Sequence, residues 1–375
     1  MPKTESDLVW RTNAPLAPCT TLQVGGPASA LVDVASREAF LAALRRADAE
    51  RLPVHILGGG SNVVISDDGL KSAVIRIHGG TIDAEPGSDE QWNVHVGAGV
   101  PWTSLVEWSV RADLAGIECL AGIPGRVGAA PIQNIGAYGQ EISNVLKSIG
   151  AIELDSREYV RFTAAECGFG YRNSHFKSEW QGRYAIMDVE LTLRKGAPAT
   201  LRYGQLASQF SPSQLPSLKQ VADTVTTIRR DKSMVVDHQD PNHRSAGSFF
   251  TNPIVTEAVA NDVDRRTTEE LPRWSVGNGC VKLSAAWLID HADMKKGYGT
   301  EYVGLSTNHT LAIVNKGHAT ATDLTKFAAH IRQRVASKWG IVLHPEPMLM
   351  GFGQTWAELL TDLSQRSDDT CYRNV

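Results

Sequence analysis

Apolar positions return along this chain with two spacings. In SREAFLAALRRADAE, Phe40, Leu41, Leu44 and Ala47 recur every three or four residues. That spacing predicts a helix, with Ser36 as its N-cap. WTSLVEWSVRADL repeats the pattern at Leu105, Trp108 and Ala112, and LKQVADTVTTIRRDK does so at Leu218, Val221, Ala222, Val225 and Ile228. TDLTKFAAHIRQRVASKW is the strongest case, with Leu324, Phe327, Ala328, Ile331 and Val335 on one face and Gly340 placed to end it. Between these lie short β-branched runs that predict strands: LPVHIL, NVVIS, KSAVIRIHG, QWNVHVGAG, SIGAIELDS, YAIMDVELTLR and HTLAIVN. TTLQVGGPASALVDVAS reads as two short strands around a Gly-Gly turn, and IVLHPEP as a strand running into Glu346. The stretch from Gly116 to Gly139 has no period and is rich in Gly, Pro and Ile. A loop of that length within a compact domain is usually functional.

The 375 residues, 42% hydrophobic and 21% charged, suffice for two or three domains. A net charge of −4 is too mild for general nucleic-acid binding, so an anionic ligand must meet a local cluster of Lys and Arg. The five cysteines are odd in number and form no CxxC, which argues against a disulfide framework or zinc site and fits a reducing compartment. No run has the length or apolarity of a signal peptide or a membrane span, so the expectation is a cytoplasmic protein with no membrane partner. The polar segment past Gly353 reads as a peripheral tail.

Several motifs carry candidate chemistry. GGGSN (Gly58, Gly59, Gly60, Ser61, Asn62) lies between two strand-like runs, and its backbone suits a phosphate. It is neither a dinucleotide fingerprint, because Val63 stands at the last glycine position and no helix follows, nor a P-loop, which would end in Lys-Ser/Thr. The plain alternative is a tight hairpin turn. AGIPGRVGAAPIQNIGAYG combines small residues, which admit a flat ring or a diphosphate, with the paired amides Gln133 and Asn134. Arg172 sits among aromatics in FGYRNSHFK and suits a carboxylate partner or an ordinary ion pair. Glu346 is flanked by prolines, as a positioned acid or a turn glutamate would be. Ser248, in HRSAGSFFTNP, lacks the G-x-S-x-G elbow of a hydrolase and begins no S-x-x-K; it reads locally as a turn serine or as a proton donor held by Phe249 and Phe250. Asp237, His238, Asp240 and His243 match no metal-ligand spacing, and no metal is assigned.

Taken together, TTLQVGGPA, GGGSN, IPGRVGAAPIQNIGAYG, FGYRNSHFK, AGSFFTNP, VKLSAAWLID and the final PEP resemble the UDP-N-acetylenolpyruvoylglucosamine reductase family, in its order and over about residues 20–350. RYGQL (202–206) resembles the tyrosine-bearing loop of the longer subtype. The resemblance implies an α+β fold: a two-part FAD-binding domain of the vanillyl-alcohol-oxidase type and a C-terminal α/β substrate-binding domain. The expected segments are 1–80, rejoined by 340–352, then 81–236 and 237–339, with 353–375 as the tail. It implies non-covalent FAD held by Gly58 to Asn62 and by Ile123, Pro124, Gly125, Val127, Gly128, Gln133 and Asn134. NADPH is the implied reductant and UDP-N-acetylglucosamine enolpyruvate the implied substrate, acted on by a monomer. Arg172 would hold the substrate carboxylate, Glu346 would share a proton with it, and Ser248 would protonate the carbanion. Tyr171, Tyr203, Lys232 and Asn252 would contact the UDP-sugar. Thr20, where Asn is frequent, and Pro347, where a β-branched residue is usual, depart from the family pattern; Trp274 and His291 receive no role.

Overall fold

The computed structural model describes residues 8–211 and 215–365. It divides into two compact units, each assembled from separate stretches. The first contains Ala28–Gly60, Lys71–Arg230 and the segment ending at Ala14; the second contains Pro15–Pro27, Ser61–Leu70 and the chain from Asp231 onward.

Among the described residues, the first unit carries two main sheets and the short hairpin Gly136–Ala137 with Gln140–Glu141. In one, the order is Trp10–Pro15, Pro27–Val34, Leu70–Ile77, Val54–Leu57, the last two strands being parallel. Helix Arg37–Ala49 packs on it through Phe40 and Leu44, and the Ser36 hydroxyl accepts from the Ala39 N–H as the sequence predicts. The other sheet is antiparallel, in the order Tyr159–Thr163, Leu146–Glu153, Tyr184–Lys195, Gln91–Gly97, Ile82–Pro86. Its inner residues alternate along each strand, Val94 and Val96 beside Val189, Leu191 and Leu193, and meet helices Trp102–Arg111 and Leu218–Asp231.

The aperiodic loop of the sequence lies against this core in short turns. It is anchored by Glu118, whose buried carboxylate accepts from the Gly116 N–H, the Gln140 amide and the Thr200 N–H, each at 2.8 Å. Three donors satisfy a charge that burial would otherwise penalise.

The second unit is built on helix Ala321–Trp339, which has apolar residues on its inner face and a capping box between Thr320 and Asp323. Asp67 adds a second cap, its carboxylate accepting from the N–H groups of Ala321 at 2.7 Å and Thr322 at 2.9 Å. Gly340 ends the helix at φ +70°. Around it lie the sheet Ile254–Thr256, Cys280–Leu283, Arg273–Gly277, the hairpin Val303–Leu305 with Ile313–Asn315, and the parallel pair Val63–Ile65 with Met348–Met350.

Three local expectations change. Residues 20–26 form turns instead of a first strand, with Gln23 at φ +54° and Gly25 at φ +115°. IVLHPEP is extended and makes only an isolated antiparallel bridge, Phe250 with Pro345, before the strand Met348–Met350, because Pro345 and Pro347 have no N–H to donate to a continuous ladder. The polar segment past Gly353 includes helix Trp356–Gln365, which packs inward through Leu360, 1% exposed, and Trp356, which meets Phe249 edge-on. Leu360→Ala should therefore cost about 2–5 kcal/mol of stability. A urea midpoint equal to that of the parent would show that the helix contributes no packing.

Candidate active site

In the first unit, two loops meet backbone to backbone. A Cβ added at Gly59 would lie 2.7 Å from the Gly125 Cα, and one at Gly128 would lie 2.6 Å from the Ala98 Cβ. At Gly58 the distance to the Ala129 Cβ would be 3.2 Å. Side chains at Gly59 and Gly128 are excluded on steric grounds, which leaves bare main chain facing bare main chain. The 125–128 loop is pinned by Trp102 N–H to Gly125 C=O, Val127 N–H to Val100 C=O and Gly128 N–H to Ala98 C=O. The Val127 side chain is fully buried, so this residue presents only its backbone. Such a cradle fits a diphosphate and a flat ring, which need close backbone approach.

Asn134 is 1% exposed and sits at φ +49°. Its amide donates to Glu141 Oε2 at 2.9 Å and to the Gly170 carbonyl at 3.1 Å, and its Oδ1 accepts from the Ser143 N–H at 3.1 Å. The side chain ties this loop to the turn that carries Arg172. Gly170 and Asn173 exchange both peptide hydrogen bonds around Tyr171 and Arg172, and Arg172 takes φ +53°. That conformation is costly for a long side chain and persists only where neighbours hold it. The Arg172 guanidinium donates to the peptide oxygens of Asn134 and Gly136 and packs on the Tyr171 ring.

Tyr203 meets Tyr138 edge-on at 5.5 Å. Burial raises the pKa of both phenols, so they remain neutral donors. Arg229 is half-buried near them; burial first, and then the charge of Arg172, pushes its pKa down to about 10, while Tyr138 opposes the shift. Tyr138 and Arg229 join Arg172 and Tyr203 as site candidates that sequence reasoning passed over. Their signals were the GAYG turn and the position of Arg229, three residues before Lys232.

In the second unit, Phe249 is bonded on both sides. Its N–H donates to the Leu311 carbonyl at 2.8 Å, and its carbonyl accepts from the Glu346 N–H at 2.8 Å. Thr251 N–H donates to the His344 carbonyl, and Phe250 bridges Pro345. Ser248 and Glu346 therefore lie on neighbouring antiparallel backbones, 98 residues apart in sequence (346 − 248). Phe249 and Phe250 are buried and lock this pairing. Asn62 supports Glu346: its amide donates to the Glu346 carbonyl at 3.4 Å, and its own carbonyl accepts from the Met348 N–H at 3.0 Å. His243, the histidine nearest Ser248 in sequence, donates from Nδ1 to the carbonyl of Asp240 in its own turn at 2.6 Å.

Asn252 Oδ1 accepts from the Ala285 N–H at the start of helix Ala285–Asp290. Beside Lys232, Ser233 adopts φ +56° and its hydroxyl accepts from the Asn308 amide at 2.9 Å. The next residue, His309, is half-buried, and burial with the charges of Lys232 and Lys296 pushes its pKa down to about 4. Lys232 and Lys296 bring positive charge beside the neutral His309, a local cluster of the kind an anionic ligand needs; the last two were not singled out from the sequence. His291 stacks on Trp287 and pairs with Glu269, whereas Trp274 is exposed on an edge strand. Among the described residues, no three His, Cys, Asp or Glu side chains are grouped as a metal site.

Comparison with known proteins now decides the family. Residues 239–350 match the family described as UDP-N-acetylenolpyruvoylglucosamine reductase, C-terminal domain, and residues 28–157 match a FAD binding domain. A UDP-N-acetylenolpyruvoylglucosamine reductase of Thermobifida fusca is 44% identical over 350 residues, covering 90% of this chain and 97% of its own. The chain belongs to the UDP-N-acetylenolpyruvoylglucosamine reductase family. A member from Streptomyces coelicolor is 42% identical over 352 residues, covering 90% of both chains. The crystal structure of the Thermus caldophilus reductase aligns with a TM-score of 0.62 at 26% identity, covering 92% of this chain and 98% of its own. The α+β architecture with a vanillyl-alcohol-oxidase-type FAD domain, the FAD cofactor and the oxidoreductase class expected from the sequence are thereby established.

The depressed pKa of His309 has a definite sign. Its stabilising contribution is complete above the unfolded value of 6.5 and is lost as pH falls towards about 4. Relative to His309→Gln, the parent protein should lose on the order of 3 kcal/mol between pH 7 and pH 4. Parallel denaturation curves for the two proteins across that range would contradict the assignment.

Proposed function

We propose that this reductase converts UDP-N-acetylglucosamine enolpyruvate to UDP-N-acetylmuramate with NADPH, a step of peptidoglycan precursor synthesis, as a monomer in the cytoplasm. No helix among the described residues is long and apolar enough to cross a membrane. The glycine cradle supports FAD contacts from Gly58 to Asn62 and from Ile123, Pro124, Gly125, Val127, Gly128, Gln133 and Asn134. In this proposal the 1–80, 81–236 and 237–339 segments remain the functional subdivisions, with 340–352 returning to the first.

FAD, held by the Gly58–Asn62 turn and the 123–134 loop, would supply hydride transfer between NADPH and the vinyl carbon of the enolpyruvyl ether. The chain's residues manage the charge that results. Negative charge develops on the carbon beside the carboxylate and spreads into it as an enolate, which needs preorganised donors. Arg172, fixed by two peptide oxygens and the Tyr171 ring, offers a guanidinium to the carboxylate. Glu346 shares a proton with that carboxylate. Ser248 gives its hydroxyl proton to the carbon, and solvent restores it. Tyr171, Tyr203, Lys232 and Asn252 hold the UDP-sugar, and the Lys232, Lys296 and His309 cluster suits its diphosphate.

The observation that carries this reading is the Phe249 pairing, which puts a serine and a carboxylate from opposite ends of the second unit's sequence on adjacent backbones. A serine hydrolase would need a base beside Ser248, and the ring of His243 is committed to its own turn. Ser248→Ala should leave flavin bleaching by NADPH at the parental rate. It should slow reoxidation by the enolpyruvyl substrate by roughly 10²–10⁴-fold. Equal slowing of both half-reactions in stopped-flow absorbance would remove Ser248 as the proton donor.

A further inference from the structure

The base of the 125–128 loop ends in a polar relay that the proposed chemistry does not use. The Arg126 guanidinium donates to the Gly99 carbonyl at 2.5 Å and touches His78 Nδ1 at 2.6 Å. An arginine has only donors, so Nδ1 must accept and the ring proton must reside on Nε2. Nε2 lies 2.8 Å from Asp33 Oδ1, an ion-pair distance somewhat off the line of a straight hydrogen bond. Asp33 also receives Arg76 at 2.7 and 2.9 Å and Arg11 at 2.5 Å. Every charged group facing His78 is thereby named: Arg11, Asp33 and Arg76 on three neighbouring strands, and Arg126 on the loop.

We propose that His78 is a positioning residue for the cofactor, acting through Arg126 to hold the 125–128 loop in the shape that receives FAD. The inference rests on the reading of that loop and Gly58–Gly60 as the FAD cradle. The loop has only the single 3-10 turn Val127–Ala129, and no long strand, to define it. Its shape comes from that turn, from three backbone hydrogen bonds with residues 98–102 and from the Arg126 side chain. Ordering such a loop costs backbone entropy at the moment FAD binds, unless it is ordered beforehand. The relay does so, and it also fixes Gly99, where a Cβ would lie 2.4 Å from the His78 carbonyl carbon and no side chain can enter.

The relay works with neutral imidazole only. Protonated His78 would turn an N–H towards the guanidinium and add a fourth positive charge around one carboxylate. Burial first, and then the charge of Arg126, lowers the His78 pKa below the usual 6.5, with Asp33 opposing. The arrangement is therefore complete at neutral pH and fails as pH falls through that lowered value. A glutamine can imitate it, since its carbonyl can accept from Arg126 and its amide can donate to Asp33, and it does not titrate.

The test follows FAD release by fluorescence on dilution of the full-length holoprotein at pH 7.5 and at the lowest pH at which the parent stays folded. The parent should bind FAD about tenfold more weakly at the lower pH, as loss of one charge-assisted hydrogen bond implies. His78→Gln should bind tightly at both, and His78→Phe should be about tenfold weaker at both. Gly59→Val, which fills the cradle directly, serves as the control. If His78→Phe retains FAD as the parent does while Gly59→Val loses it, the relay is wrong and the cradle stands. If Gly59→Val also retains FAD, the cradle reading itself fails. Should His78→Phe not fold, the same pH dependence in His78→Gln as in the parent overturns the proposal alone.

Discussion

The second unit depends on one peptide group pair. Phe249 donates to Leu311 on one side and accepts from Glu346 on the other, both at 2.8 Å. Its ring and that of Phe250 are buried, so the pairing cannot shift without opening the core. A serine hydroxyl is a weak acid, useful only if held close to a strongly basic carbon. The backbone either side of Phe249 supplies that rigidity, and Asn62 extends it to the far side of Glu346. The proline on each side of Glu346 serves the same end: lacking N–H groups, they limit the pairing before Met348 to the short bridge with Phe249 and Phe250, so Glu346 sits on a short, extended, pinned strip.

The first unit works by a different constraint, the exclusion of side chains. Gly59, Gly99 and Gly128 stand where a Cβ would strike a neighbouring main chain or side chain. Binding surface here is created by removing atoms and then fixing what is left with peptide hydrogen bonds and the Arg126 side chain. Arg172 shows the complementary strategy. A long side chain is forced into a left-handed turn and aimed by its contacts with Asn134, Gly136 and Tyr171. The two strategies share Asn134, whose buried amide joins the loop of small residues to the arginine turn.

The sequence made the long periodic elements legible. Helices Arg37–Ala49 and Ala321–Trp339 appear with their predicted caps at Ser36 and Gly340, because spacing and capping act locally. It did not reveal that residues 20–26 turn where β-branched content suggested a strand, since Gln23 and Gly25 take positive φ for tertiary reasons. Nor did it reveal the helix past residue 355, whose inward-facing residues are too few to stand out in a polar segment. Ser248, Arg172 and Glu346 were legible through motif resemblance and not through local chemistry, which favoured a turn serine and ordinary ion pairs. Tyr138, Arg229, Lys296 and His309 became visible only once folding buried them or brought their charges together.

The central claim is one of polarity: hydride goes to the vinyl carbon, and a proton goes from Ser248 to the carbon beside the carboxylate. The most direct measurement is the position of solvent hydrogen in the product, read by NMR after a turnover in D₂O with unlabelled NADPH. The account predicts one deuterium on the carbon bearing the carboxylate. A product with protium at that carbon would contradict it, because no solvent-exchanging hydroxyl could then have supplied the atom.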